Sequence, residues 1–168
     1  MAELRVLLLH DNVSGLMDWV LAHYDQLETM LLTHEAWYGD LTLFEYAVLV
    51  GAVRCVTWFL QTGMMNPNAK PPFLDPLHYV ERNGEAMATV LLKYGANPNL
   101  RARTNAPVSV LYHRAVWFHD TTDLVIARRL FWAGARLTDD DKRTPTQYAN
   151  SQAHVEMILE AEAIMNRR

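Results

Sequence analysis

Cysteine is almost absent: Cys55 stands alone among 168 residues. No intramolecular disulfide can form, so packing and hydrogen bonds must hold the fold, and a reducing compartment is permitted. Long hydrophobic runs are missing too. No stretch approaches the roughly 20 apolar residues of a membrane span. The apolar part of the opening Met1–His10 segment is too short for a secretory leader, and it reads as a first core segment. Nor does one sign of charge dominate. The net charge of −4 gives no general attraction to nucleic acid or to an anionic membrane, and leaves only local basic patches for such binding. What the chain does have is core material. With 51% of residues hydrophobic and 20% charged, it has the balance of one soluble folded domain and not of a disordered chain.

Catalytic signatures are equally sparse. There is no G-x-S-x-G, no Walker loop, no G-x-G-x-x-G, and no histidine pair at i, i+4 with a glutamate between. His10, His23, His34, His78, His113, His119 and His154 are scattered. His113 and His119, with Asp120 adjacent, form the best metal candidate, but a site there needs a further ligand that no nearby residue supplies. Cys55 paired with a histidine would be a nucleophile; the competing reading is a packed thiol. Asp139, Asp140 and Asp141 precede a helix start, where carboxylates favour the N-terminus. Arg101, Arg103, Arg128, Arg129 and Arg136 make a locally basic stretch without interleaved aromatics, a weak nucleic-acid signal.

The informative stretch runs from Leu74 to Asn99. It reads Leu74-Asp75-Pro76-Leu77-His78-Tyr79-Val80, then Asn83-Gly84, then Val90-Leu91-Leu92-Lys93-Tyr94-Gly95-Ala96-Asn97-Pro98-Asn99. This resembles an ankyrin repeat, whose pattern is T-P-L-H-x-A, a glycine, a leucine-rich second helix and G-A-D-x-N. Asp75 replaces the family threonine and keeps a side-chain oxygen able to cap a helix. Pro76 is tolerated at a first helical position, and Gly95 suits a helix end that needs positive φ. The resemblance implies that His78 hydrogen-bonds backbone between repeats.

Other units align with this one. Thr42-Leu43-Phe44-Glu45-Tyr46-Ala47 fills the T-P-L-H-x-A place 33 positions earlier, with Glu45 for histidine and Gly51 following. Val53, Val56 and Leu60 belong to its second helix, which Gly63 closes. Ala106-Pro107-Val108-Ser109 lies 31 positions after Asp75. The second helix Leu124–Ala133 before Gly134 comes about seven residues late for the repeat length, so an insertion falls around 112–119. Thr144-Pro145-Thr146-Gln147-Tyr148-Ala149 opens a last unit, and Ala153–Glu160 is its second helix. Residues 1–38 show helical spacing in Leu4, Leu7, Leu8 and in Leu16, Trp19, Val20, with breaks expected at Asp11-Asn12 and Ser14-Gly15. They read as a degenerate cap.

The expected fold is therefore all-α: an ankyrin-type helical solenoid of about four repeats with an N-terminal helical cap. Its expected boundaries are 1–38, 39–72, 73–100, 101–138 and 139–168 within a single domain. The resemblance implies a non-catalytic protein-binding module, acting as inhibitor or adaptor, with no cofactor and no metal. Its partner would be another protein, not a membrane or nucleic acid. The chain itself would be a monomer or homodimer, in the cytoplasm, or in the cytosol or nucleus of a host cell. A small enzyme or metal protein using His113 and His119, and a self-associating structural protein, are the alternatives. By the family's pattern the contact positions would be Tyr38, Leu41, Leu49, Val50, Leu74, Arg82, Asn83, Arg103 and Asn105 on the concave face and hairpin tips. The inserted Tyr112, Trp117 and Phe118 join them, since aromatics are enriched in interface hot spots. Exposed Leu41, Leu49 and Val50 would gain from burial by a partner; the competing reading is that residues 1–38 cover them. Because no ligand set is visible, a chelator should leave the melting temperature unchanged. One stoichiometric metal per chain by elemental analysis would contradict this.

Overall fold

The computed structural model describes residues 2–25, 41–68, 77, 80, 82–99 and 121–137, with isolated positions 156, 159 and 163. It contains α1 (Ala2–Leu9), α2 (Val13–Ala22), α3 (Leu43–Leu49), α4 (Val53–Gln61), α5 (Gly84–Lys93) and α6 (Thr121–Trp132). Among the described residues there is no strand. None of the described helices is long and apolar enough to cross a membrane. α1 packs on α2 and α3 on α4 as hairpins, while α2, α4, α5 and α6 touch in succession. The second helices thus form a row in chain order, the arrangement of an ankyrin-type solenoid.

Local chemistry explains the helix ends. Asp11 takes a left-handed conformation, φ 48°, between α1 and α2. Asn12 then caps α2, its side chain accepting from the Gly15 amide at 3.1 Å. The expected break at Asp11-Asn12 is present. The one at Ser14-Gly15 is not: both residues lie in the first turns of α2, because Asn12 satisfies the amide that would otherwise be orphaned. Gly15 serves close packing instead, since a Cβ there would come within 2.5 Å of Leu7 Cδ2.

Thr42 starts α3 with a reciprocal capping box. Its hydroxyl accepts from the Glu45 amide at 3.2 Å, and its own amide donates to Glu45 Oε2 at 2.6 Å. Glu45, only 2% exposed, is tolerated because its carboxylate is used at the positive end of a helix. Gly51 turns the chain into α4 with φ 75°. A side chain there would also collide with the next unit, its Cβ falling 2.6 Å from the Arg82 carbonyl oxygen. Before α5 the left-handed position is taken by Asn83, φ 52°, and Gly84 becomes the buried first residue of the helix. Gly63, Gly95 and Gly134 follow the ends of α4, α5 and α6 with φ of 70°, 87° and 95°, as their expected closing role requires.

The core is continuous along the stack. Leu4, Leu8, Leu16, Leu43, Val56, Phe59, Leu77, Val80, Met87, Leu91, Ile126 and Leu130 all belong to one buried cluster. Each large side chain so buried contributes about 1.5–3 kcal/mol.

Polar bridges join the units. The N-cap Ala52 offers α4 no side-chain acceptor. Asp11, from the preceding hairpin, takes its place, accepting from the Arg54 and Cys55 amides at 3.0 and 2.9 Å. Further along, Asn68 Nδ2 donates to the Gly95 carbonyl at 2.8 Å and its Oδ1 accepts from the Asn97 amide at 2.6 Å. Asn99 repeats both contacts on the Gly134 carbonyl and the Arg136 amide, at 3.0 and 2.9 Å. Loss of a capping side chain costs about 0.5–2 kcal/mol. Asp11→Ala should lower stability by at least that much in urea unfolding. Asp11→Gly should be the milder change, because glycine loses the same bonds without left-handed strain.

Candidate interaction surface

The expected contact positions fall into three groups. Leu41 is 8% exposed and belongs to the buried set, so the expectation that it is open to a partner is corrected. It leads into the α3 capping box, and an apolar side chain just before an N-cap packs back onto the helix it introduces. Leu49 and Val50 are half-buried at the end of α3, and Val50 packs against the core. Arg82 and Asn83 are exposed. Tyr38, Leu74, Arg103, Asn105, Tyr112, Trp117 and Phe118 lie outside the described residues, as do His113 and His119.

Leu49–Val50 and Arg82–Asn83 come from neighbouring units, and the fold brings them together. The turn at Gly51 lies directly against the Arg82 backbone, and Asn83 Nδ2 donates to the Gly51 carbonyl at 2.9 Å. The result is a two-unit patch: half-covered aliphatic side chains beside an exposed guanidinium. No described residue is ion-paired with Arg82.

The basic stretch is less available than its composition suggests. Arg129 is held by Glu85 across α5 and α6. Arg136 donates to the carbonyls of Phe131 and Ala135 and lies 5.0 Å over the Phe131 ring. Arg128 is exposed, with no ion-pair partner among the described residues. A guanidinium tied to helix-end carbonyls acts as a structural cap.

Sequence reasoning missed a second set of surface residues. Among the described residues, Val6, Leu9, Met17, Leu21, Tyr24 and Trp132 are the large exposed apolar side chains, Leu21 and Trp132 at 75% and 76%. Part of the signal was present in α2: Met17 and Leu21 stand at i, i+4, about a third of a turn round from the buried Leu16, Trp19 and Val20, and Tyr24 follows just beyond the helix C-cap.

Cys55 is fully buried. Burial, then the hydrogen bond and charge of Asp11, push its thiol up to about 12. It stays protonated at neutral pH and is no nucleophile. No group of three or more His, Cys, Asp or Glu residues able to hold a metal occurs among the described residues.

Comparison with known proteins agrees with this geometry. The ankyrin repeat family model matches residues 74–103. Among solved structures, the chain is similar to the ankyrin repeat domain of Bcl-3, described as a unique member of the IkappaB protein family, with a TM-score of 0.61 and 23% identity. That match covers 91% of this chain and 66% of the other, so the chain spans just under two thirds of the Bcl-3 domain. At this identity the likeness shows the fold. No curated protein matches the chain in sequence.

The raised thiol has a readable consequence. The folded form keeps the Cys55 proton to higher pH than the unfolded form, so its contribution to stability is complete below about pH 9 and is lost as pH rises towards about 12. Cys55→Ala should flatten that part of the decline in urea-unfolding free energy. At pH 8, iodoacetamide should label the wild-type thiol no faster than the chain unfolds.

Proposed function

We propose, from the ankyrin repeat match at residues 74–103 and the likeness of fold, that the chain is a non-catalytic protein-interaction module that engages its partner through the face where α3 meets the start of α5. The carrying observation is the patch at the unit boundary. Leu49 and Val50 are half-buried beside exposed Arg82 and Asn83, and the Asn83–Gly51 hydrogen bond holds the two segments in register. Aliphatic surface gains about 25 cal/mol per Å² when a partner covers it, and an arginine at the rim favours an acidic partner surface. By the family's pattern Tyr38, Leu74, Arg103 and Asn105 are further candidate contacts, and Tyr112, Trp117 and Phe118 of the expected insertion are candidate anchors; all lie outside the described residues. The action is to occupy or bridge partner surfaces, as an inhibitor or an adaptor.

The test uses the whole chain as bait in its native cell extract, with mass spectrometry identifying what it retains. Leu49→Asp and Arg82→Glu should each abolish capture of the specific partner. Helicity should be retained, and the melting temperature should stay within a few degrees of wild type. If Leu49→Asp unfolds the chain, Leu49 is core; if neither change alters capture, the interface is not here.

A further inference from the structure

Several large apolar side chains of α1 and α2 are exposed. The hairpin buries Leu4, Leu8, Leu16, Trp19 and Val20 against the next unit. Further round α2, Met17 and Leu21 are 41% and 75% exposed, Tyr24 just past its C-cap is 66% exposed, and α1 presents Val6 and Leu9 at 52% and 50%. Met17 and Leu21, at i, i+4, have the spacing suited to receive another helix.

The charges around the stripe select what fits it. Glu3 lies three residues before Val6, and Asp18 three before Leu21, so each acid shares a helix face with an exposed apolar side chain. Asp25 follows Tyr24. All three acids are exposed, and none is ion-paired among the described residues. Arg5, the cation of α1, is directed to the Tyr46 ring at 6.0 Å. The face is thus apolar in the middle and acidic at the rim. Anionic lipid would be repelled by that rim, and a second copy docking face to face would set acid against acid.

We propose that the α1–α2 face is a docking site for an amphipathic helix of a partner protein, apolar along one stripe and flanked by lysine or arginine. The site rests on the reading of the chain as an interaction module and adds a surface distinct from the α3–α5 patch. The partner helix packs on α2 as α4 does on the other side, and its cations meet Asp18, Asp25 and Glu3.

The experiment measures binding of a fluorescein-labelled synthetic helix, leucines at i, i+4 and i+7 with lysine flanks, to the full chain by anisotropy. A peptide of the same leucines with glutamate flanks is the control. The lysine peptide should bind at least tenfold more tightly than the glutamate peptide. Leu21→Ser and Met17→Ser should each weaken it by at least fivefold, and the double change Asp18→Lys, Asp25→Lys should reverse the preference. Leu49→Asp should leave this binding unchanged, which separates the site from the α3–α5 patch. Three results would overturn the proposal: equal binding of the two peptides, loss of binding on Leu49→Asp, or a melting temperature lowered by Leu21→Ser, which would show that the chain covers the stripe itself. A doubled mass by light scattering that Leu21→Ser abolishes would assign the face to a second copy and equally overturn it.

Discussion

Each unit of this stack leaves helix-end backbone groups that its own residues do not satisfy, and the neighbouring unit supplies the partner. Asp11 holds the first amides of α4, Asn83 holds the carbonyl of Gly51, and Asn68 and Asn99 hold the turns after α5 and α6. A hydrogen bond of this kind contributes only about 0.5–1.5 kcal/mol net. The apolar cluster supplies most of the cohesion. Yet apolar faces alone tolerate sliding, because burial is non-directional. The side-chain-to-backbone bridges fix how far one hairpin advances on the next. A slip by one residue would leave several orphaned groups at about 1–3 kcal/mol each.

This division explains which features could be read directly from the residues. The apolar helices and the closing glycines were legible, because burial and positive φ have strong residue preferences. Gly63, Gly95 and Gly134 take the left-handed conformations expected of them, and Thr42 begins a helix where its alignment placed it. Polar bridges were not legible as bridges. Asn66-Pro67-Asn68 forms a turn, with the Asn66 side chain accepting from the Asn68 amide at 2.8 Å. Its second role, reaching to the next unit, depends on contact between segments far apart in sequence. The recurrence of the same tripeptide at Asn97-Pro98-Asn99, which folds in the same way, was the available signal.

Departures from the repeat pattern proved to be exchanges of one solution for another. Glutamate at the place of histidine in α3 gives up a bridge and gains a capping box. Asp11 and Asn83 stand in left-handed positions where glycine is easier. Each offsets that strain with side-chain bonds to the neighbouring unit, which glycine could not make. Leu41 shows the limit of alignment: its position matched the family's contact positions, but in this chain it is buried. Whether an aliphatic side chain at a unit boundary is core or surface depends on the packing of both neighbours, which spacing does not carry.

The same one-dimensional logic sets the dynamics. In a stack where each unit touches only its neighbours, a terminal hairpin is anchored on one side and opens at lower free energy than the middle. Here the α1–α2 hairpin is held by five large apolar side chains and by the Asp11 cap. Val6, Leu9, Met17 and Leu21 of the same hairpin stay exposed. A ligand that covers them binds the folded hairpin and not the frayed one, so it stabilises the end of the stack by mass action. Because Asp11 both closes the α1–α2 turn and caps α4, firmer docking of the first unit is also firmer capping of the second. The second unit carries Leu49 and Val50. One shared carboxylate thus ties the firmness of the first hairpin to that of the second, while the side chains that each unit exposes remain its own.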